Sequence, residues 1–121
     1  MIVGIVGLGL IGGSAAKAFK TAGHTIYAYD INESVTGFAC LENIVDEELS
    51  TTNLYSCDLL LLTTTPNASA NYLEKNAAGI SPKALVVDFC GTKKMICSLG
   101  FALAKKYGVE NTAIKDFADQ K

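Results

Sequence analysis

Residues 1–30, MIVGIVGLGLIGGSAAKAFKTAGHTIYAYD, decide the fold of this chain. The apolar run Ile2–Val6 predicts a strand buried on both faces, because its residues do not alternate with polar ones. A glycine-rich turn follows at residues 7–12, then a helical pattern, then a second apolar strand that ends on Asp30. This order of strand, glycine turn, helix, strand and acid is typical of a dinucleotide-binding unit.

The glycines of this turn are expected to have separate uses. Gly7 allows the tight bend, Gly9 lets the backbone approach a pyrophosphate, and Gly12 lets the helix pack closely on the strand. The unpaired N–H groups at the start of the helix would then bind the anion. The residues of the turn predicted to bind the cofactor are Gly7, Leu8, Gly9, Leu10, Ile11 and Gly12.

Asp30 lies 18 positions after Gly12, at the end of the second predicted strand. A carboxylate at this place accepts hydrogen bonds from the ribose hydroxyls of adenosine and repels the 2′-phosphate of NADP. We therefore predict that the cofactor is NAD. A glycine turn by itself could be a structural turn in another α/β protein, but the flanking strands, the helix and the acid together favour the dinucleotide.

The chain continues with alternating helices and strands. Asn32 is a candidate cap for a helix through about Cys40, and residues 43–45 are predicted to form a weak third strand. Residues 46–53 are acidic and polar, so we interpret them as a solvated connection with no part in the chemistry. The leucines at residues 59–62 predict a fourth strand that is again buried on both faces.

The fourth strand ends in Thr63-Thr64-Thr65-Pro66. Thr65 is a good N-cap and Pro66 suits the first helical position, so a helix is predicted from there to about Ala77. Ligands of doubly wound sheets lie beyond the carboxyl ends of the strands, where the strand order reverses. The threonines are therefore predicted to line the nicotinamide side of the cofactor, and Thr64, Thr65 and Pro66 are predicted to bind it. The alternative is a helix cap without a ligand contact.

The fifth strand, predicted at residues 84–88, leads to a helix that Thr92 can cap and that runs to about Tyr107. Lys93 and Lys94 would lie in its first turn, where each cation opposes the helix dipole by about 0.3–1 kcal/mol. An anionic cofactor or substrate would offset that cost. The alternative is that both lysines are solvated surface residues.

These elements predict an α/β fold: a doubly wound parallel sheet (Rossmann) with three αβα layers, covering residues 1–108. No role is assigned to the tail at residues 109–121. The net charge of −2 and the dispersed charges favour neither a nucleic acid nor a membrane as partner. Four cysteines without a CxxC pair indicate reduced thiols and a cytoplasmic location. No metal site is predicted.

His24 is the only histidine of the chain. It begins the second predicted strand, at the amino-terminal edge of the sheet, which is far from any hydride transfer. We therefore interpret it as structural. Cys90 follows the fifth strand without a histidine partner and is interpreted as a small buried side chain. No catalytic residue is predicted in this chain.

Three motifs together resemble the amino-terminal domain of the prephenate dehydrogenase family, including its arogenate-using relatives. They are IVGLGLIGGSAAKAFKTAGHTIYAYDIN, the TTTP after the fourth strand and the DFCGTKK after the fifth, and the similarity runs from Met1 to about Gly108. The resemblance implies that NAD is bound by residues 7–12, Asp30 and residues 64–66. It also implies oxidative decarboxylation of prephenate, a small anionic substrate, to 4-hydroxyphenylpyruvate in tyrosine biosynthesis, by a homodimer.

The family motif after the fifth strand reads Asp-x-Gly-Ser-Val-Lys, which places Gly91 at the position of a substrate-side serine and Lys93 at the lysine. Gly91 and Thr92 are added to the predicted cofactor-binding residues, and Thr92 is a possible replacement for the serine hydroxyl. The family's catalytic histidine, in a Gly-Gly-His-Pro segment, and its helical dimerisation domain have no counterpart in these 121 residues. We therefore expect NAD binding with little or no turnover by this chain alone.

Two alternatives remain at this stage. One is a non-catalytic module that senses NAD or NADH and changes its partner in response. The other is the cofactor domain of a different dehydrogenase, such as a β-hydroxyacid or imine-reducing relative with the same glycine turn.

Overall fold

The computed structural model of the chain describes residues 1–89, in which five strands alternate with three α-helices. The strands are β1 (Ile2–Val6), β2 (Thr25–Tyr29), β3 (Glu47–Glu48), β4 (Leu59–Leu62) and β5 (Leu85–Asp88). The helices are α1 (Leu10–Thr21), α2 (Glu33–Leu41) and α3 (Pro66–Asn76), with short 3₁₀ turns at Leu54–Ser56 and Ala77–Gly79.

The five strands form one parallel sheet in the order β3-β2-β1-β4-β5. The chain first winds outward from β1 to β3 and then places β4 on the other side of β1. The strand order therefore reverses between β1 and β4, which confirms the predicted doubly wound parallel sheet. Val6 is paired with Tyr29 of β2 and with Leu62 of β4, so these three strands end side by side.

Both faces of the sheet are covered, which explains why β1 and β4 are apolar at almost every position. One face packs against α1 and α2, and Phe19 of α1 is completely buried there against Val3 and Ile5. The other face packs against α3 and the chain before β4, through a cluster that contains Val6, Leu49, Leu54, Cys57, Leu60 and Leu62. The two layers of helices confirm the three-layer αβα arrangement.

The predicted helix boundaries are confirmed by their local hydrogen bonds. Gly23 has a φ of 93°, in the left-handed region that glycine adopts without strain, and it ends α1. Asn32 caps α2, since its side chain accepts a hydrogen bond of 3.0 Å from the Ser34 N–H. Thr65 caps α3 by accepting from the Ala68 N–H at 3.3 Å, and Pro66 is the first helical residue.

The prediction of a third strand at residues 43–45 is wrong. Asn43 has a φ of 58°, and the N–H groups of Ile44 and Val45 both donate to the carbonyl of Ala39, so this segment closes the end of α2. The strand lies further along, at Glu47–Glu48, where it pairs with Tyr27 and Ala28 of β2.

The interpretation of residues 46–53 as a solvated connection is wrong in part, although most of its side chains are exposed. This segment contains β3, and Leu49 within it is buried in the core.

Several predictions lie outside the described residues: those for Cys90, Gly91, Thr92, Lys93 and Lys94, the helix to about Tyr107, and the tail at residues 109–121.

Candidate functional site

The glycine turn begins where β1 ends, at the point of strand reversal. Gly7 has a φ of 103°, and its N–H donates to the Tyr29 carbonyl at 2.8 Å, which continues the pairing with β2 by one residue. A Cβ on Gly7 would lie 2.9 Å from the Cβ of Thr64 and 3.0 Å from the Thr63 carbonyl oxygen. Both the backbone conformation and the neighbours therefore require glycine at this position.

Gly12 and Gly9 differ in their surroundings. A Cβ on Gly12 would lie 1.7 Å from the carbonyl oxygen of Gly7, so α1 can approach the turn only because this side chain is absent. Gly9 is exposed, and a Cβ there would meet nothing within 4 Å. The space beside Gly9 is therefore free for a ligand that approaches the backbone.

The start of α1 has the features of an anion site. Its N-cap is Gly9, which provides no side-chain hydrogen bond, and the first turn contains no acidic residue. The first N–H groups of a helix have no partner within the helix, and the helix dipole makes this end positive. Leu10 is 76% exposed and Ile11 is half-buried, so the backbone here is accessible to a phosphate.

Asp30 lies directly beside this turn. Its Oδ2 accepts a hydrogen bond of 2.8 Å from the Leu8 N–H, and its Oδ1 accepts one of 2.9 Å from the Asn32 N–H. The two bonds fix the carboxylate at the carboxyl end of β2. A carboxylate oxygen has two lone pairs, so each oxygen keeps capacity to accept from a ligand hydroxyl.

Thr63, which was not among the residues predicted to bind the cofactor, contacts the turn from the other side. Its hydroxyl oxygen lies 2.7 Å from the Gly7 carbonyl oxygen and 3.1 Å from that of Val6, so its one hydrogen is donated mainly to Gly7. A polar residue directly after a buried strand, at the carboxyl edge of the sheet, is the sequence signal that could have identified it.

A cleft of about 490 Å³ opens next to Asp30, on the α3 side of the sheet. Three predicted site residues line it: Gly7, Asp30 and Thr64. The other lining residues come from the end of β1, the end of β2, the segment after β3, and α3, and they are Val6, Tyr29, Ile31, Leu49, Ser50, Thr51, Ala68, Asn71, Tyr72, Lys75 and Asn76. Ser50 and Thr51 belong to the segment that was predicted to have no part in the chemistry.

Tyr29 and Tyr72 form an aromatic wall of this cleft, with ring centroids 5.8 Å apart. Burial, with the nearby Cys57 and Tyr29, raises the pKa of Tyr72 to about 12. The Tyr72 phenol is neutral at physiological pH, as an ordinary tyrosine is, and can donate a hydrogen bond. Two aromatic faces beside a polar rim suit a planar heterocycle attached to a sugar.

The predicted residues at the start of α3 divide into two groups. Thr64 lines the cleft, whereas Thr65 and Pro66 are exposed at the helix start and do not line it. Thr65 is engaged as the helix cap described above. Gly91 and Thr92, predicted for the same site, lie outside the described residues.

His24 is far from the glycine turn in the sheet. It directly precedes β2, at the amino-terminal edge, and its ring makes an edge contact with the ring of Phe19 at a centroid distance of 6.0 Å.

Within residues 1–89, no group of three or more His, Cys, Asp or Glu side chains could hold a metal ion. No helix in this part of the chain is long and apolar enough to cross a lipid bilayer.

The chain matches one family model, described as the nucleotide-binding domain of prephenate dehydrogenase, over residues 15–109. The match begins after the glycine turn. The geometry of the turn therefore supports a nucleotide-binding site independently of the family match. Among curated protein sequences, none matches the chain significantly.

Two solved structures share about a third of their aligned residues with the chain. Arogenate dehydrogenase from Synechocystis is 32% identical, with a TM-score of 0.71, over 79% of this chain and 35% of that one. Prephenate dehydrogenase from A. aeolicus, in complex with hydroxyphenyl propionate and NAD⁺, is 30% identical, with a TM-score of 0.67, over 88% of this chain and 39% of that one. The chain therefore spans less than two fifths of the length of both proteins.

More distant structures share the fold. An imine reductase from Streptomyces aurantiacus is 18% identical over 87% of this chain and 38% of that one, with a TM-score of 0.63. At this identity the likeness concerns the arrangement of strands and helices alone.

Proposed function

Because the chain belongs to the prephenate dehydrogenase family, through its nucleotide-binding domain, we propose that it binds NAD at the carboxyl edge of its sheet. The pyrophosphate would lie at the start of α1, over Gly9, and the adenosine ribose at Asp30. The residues proposed to hold the cofactor are Gly7, Leu8, Gly9, Leu10, Ile11, Gly12, Asp30, Thr64, Thr65, Pro66, Gly91 and Thr92.

The observation that carries this proposal is the junction of the glycine turn with Asp30. The Leu8 N–H donates to Asp30, which holds the carboxylate next to a helix start that has no capping side chain. One place thus offers hydrogen-bond acceptors for ribose hydroxyls and unpaired N–H groups for a pyrophosphate. The open space beside Gly9 lets the ligand reach that backbone.

The adenine ring would occupy the cleft between Asp30 and α3. Tyr29 and Tyr72 provide flat apolar surfaces there, and Ser50, Asn71 and Asn76 provide polar groups at the rim. A volume of about 490 Å³ is within the range of small-molecule sites. Ser50 and Thr51, in the segment after β3, would then lie beside the ring.

Discrimination between NAD and NADP tests the proposal. Asp30 is fixed by two backbone N–H groups, so it cannot turn away from a 2′-phosphate without losing both bonds. We expect NADH to bind the 121-residue chain at least about tenfold more tightly than NADPH in a fluorescence titration, a difference of about 1.4 kcal/mol. Asp30→Asn should reduce that ratio severalfold, because it removes the negative charge that repels the 2′-phosphate. The turn should be kept, since the amide oxygen can still accept from Leu8.

Glu42→Gln is the matched control, because it removes a negative charge at the end of α2, away from the turn. It should leave the ratio unchanged. Tighter binding of NADPH than of NADH would contradict the assignment of Asp30, and the absence of binding by either would contradict the proposed function as a whole.

We propose that the whole protein uses this domain for oxidative decarboxylation of prephenate or arogenate. In that reaction the substrate transfers a hydride to NAD and loses carbon dioxide. Within this chain the only histidine, His24, precedes β2 at the opposite edge of the sheet from the turn. The chain alone should therefore bind NADH but produce little or none from NAD and prephenate, and robust NADH formation at 340 nm would contradict this expectation.

The wider setting of the protein is proposed on the same basis. Family membership favours a homodimer and a small anionic substrate, and the cysteine pattern favours the cytoplasm. The small net charge of −2 favours neither nucleic acid nor membrane as partner.

A further inference from the structure

The peptide group between Gly7 and Leu8 is held at both ends. Its carbonyl oxygen, on Gly7, accepts a hydrogen bond of 2.7 Å from the Thr63 hydroxyl. Its N–H, on Leu8, donates to Asp30 Oδ2 at 2.8 Å. Thr63 follows β4 and Asp30 follows β2, so the two neighbours of β1 each restrain one end of the same peptide.

This peptide needs an external restraint because of its own backbone. Gly7 has a φ of 103°, and a glycine has few steric limits that would keep the adjoining peptide plane in one orientation. The Gly7 carbonyl also lies directly against α1, since a Cβ on Gly12 would be only 1.7 Å from it. A rotation of the peptide would therefore change both the Leu8 N–H direction and the packing of the helix start.

We propose that Thr63 is a positioning residue of the dinucleotide site. Its hydroxyl fixes the plane of the Gly7–Leu8 peptide and thereby orients the backbone that faces the pyrophosphate. This inference rests on the proposed function. The three consecutive threonines then have three separate roles: Thr63 holds the turn, Thr64 lines the cleft and Thr65 caps α3.

The test compares Thr63→Ala with Thr63→Ser, two variants that differ only in the hydroxyl. ADP-ribose contains the pyrophosphate and adenosine lacks it, so their affinities separate the turn from the cleft. Calorimetric titration should show ADP-ribose binding Thr63→Ala about tenfold more weakly than the unaltered chain, the effect of losing one hydrogen bond. The affinity for adenosine should fall much less, because Asp30, which would bind its ribose, keeps its second hydrogen bond from the Asn32 N–H. Thr63→Ser should retain the affinity for both ligands.

Thr36→Ala is the matched control. Thr36 is a buried threonine of α2 whose hydroxyl has no hydrogen-bond partner within the described part of the chain. Its removal should change the stability without changing the ratio of the two affinities. If Thr63→Ala is too unstable to titrate, Thr63→Cys, whose thiol is a weak donor, should show the same selective loss for ADP-ribose.

The possible results separate this inference from the proposed function. An unaltered chain that binds neither ADP-ribose nor NADH would contradict the proposed function. An unaltered chain that binds ADP-ribose, with equal affinity in Thr63→Ala, would overturn the role of Thr63 alone. An equal loss for ADP-ribose and adenosine, or a loss in Thr63→Ser as large as in Thr63→Ala, would also overturn it, because a general structural role would have that effect.

Discussion

Gly9 and Gly12 belong to the same turn but lack a side chain for different reasons. Gly12 packs against the Gly7 carbonyl, where a Cβ would lie 1.7 Å from a backbone oxygen. Around Gly9, a Cβ would meet no atom within 4 Å. Gly12 is thus required by the fold itself, and Gly9 by the ligand that we propose.

Replacement of each glycine by alanine should separate stability from binding. Gly12→Ala should lower the free energy of unfolding by at least about 3 kcal/mol, because backbone atoms must move to admit the methyl group. Gly9→Ala should cost less than about 1 kcal/mol, the value of a poorer N-cap residue, and yet weaken NADH binding at least about tenfold. Urea denaturation and NADH titration measure the two effects.

Gly13→Ala is the control for this comparison. Its Cβ would meet only the Leu8 carbonyl oxygen, at 3.8 Å, which is an ordinary contact. Because alanine is a better helix former, α1 should gain about 0.5–1 kcal/mol of stability. If Gly9→Ala lowered stability as much as Gly12→Ala does, the distinction between the two positions would be wrong.

The motif glycines and Asp30 could be selected from the sequence because their spacing follows from one strand, one helix and one turn. Thr63 could not be selected in the same way. Its bond to Gly7 depends on the register between β1 and β4, strands separated by more than 50 residues in the sequence. A periodic pattern predicts that both strands are buried, but it does not determine which residues end side by side.

At the scale of the elements, two aspartates join the starts of neighbouring strands. Asp58 precedes β4, and its carboxylate accepts from the Ile2 N–H at 2.8 Å while its own N–H donates to the Ile2 carbonyl. Asp46 precedes β3 and makes the same pair of bonds with Ile26 of β2. Asp46 also forms an ion pair with Lys20, which ties β3 to α1.

Asp46 should make the stability depend on pH. Burial alone would raise the pKa of its carboxyl, but the Ile26 N–H and the Lys20 ammonium outweigh burial and lower it. A lowered pKa in the folded state stabilises the fold above the unfolded value of about 3.9, and the effect is lost as the pH falls through the folded value. Asp46→Asn should therefore be less stable at pH 7, by up to about 1 kcal/mol for this partly exposed pair.

Urea denaturation of both proteins at pH 7 and at pH 2.5 measures this effect. The difference between them should shrink at the lower pH, because the stabilisation by the charged Asp46 carboxylate is lost as the pH falls below the unfolded pKa and through the lowered folded pKa. Glu42→Gln, which neutralises another exposed acid, should show little difference at either pH. A constant difference between Asp46→Asn and the unaltered chain would show that the charge of Asp46 has no part in the effect.

The wrong prediction of a third strand at residues 43–45 also has a physical cause, which lies in how the elements pack. Ile44 and Val45 are apolar β-branched residues, and Val45 is buried, so their pattern is typical of a strand. Their burial instead results from packing at the end of α2, where both N–H groups donate to Ala39. The actual strand consists of two exposed glutamates, whose pairing is determined by tertiary contacts and whose charges protect an edge of the sheet.

The whole molecule combines one sheet with two apolar layers, and this arrangement was predictable. Continuous apolar runs at β1 and β4 require cover on both faces, which parallel strands with crossover helices provide. The cleft was not predictable, since its walls come from four separated parts of the chain. Tyr72 reaches it from α3 and Ser50 from the segment after β3, and no local pattern relates the two.

Cys57 lies in the same apolar cluster as Tyr72, which lines the cleft of the proposed ligand. It is buried under β1, where a Cβ on Gly4 would lie 2.8 Å from its sulfur, and burial together with Asp58 raises the pKa of the thiol to about 11. Alkylation requires both exposure and a thiolate, so iodoacetamide at pH 8 should modify Cys57 only when this layer opens. Peptide mass spectrometry distinguishes it from the other three cysteines of the chain.

A ligand that binds only the closed molecule should slow this reaction by mass action. At an NADH concentration of about 100 times Kd, the open form becomes about 100-fold rarer, which corresponds to about 2.7 kcal/mol. Cys57 shares its apolar cluster with Leu49 and Tyr72, which line the cleft. We therefore expect an opening that exposes Cys57 to disrupt the cleft, so that the Cys57 alkylation rate falls by the same factor. Cys40, half-buried on α2 on the other face of the sheet, should slow much less, since local fraying can expose it. Equal Cys57 rates with and without saturating NADH would mean that this layer opens independently of the site, and would contradict the coupling between core and cleft.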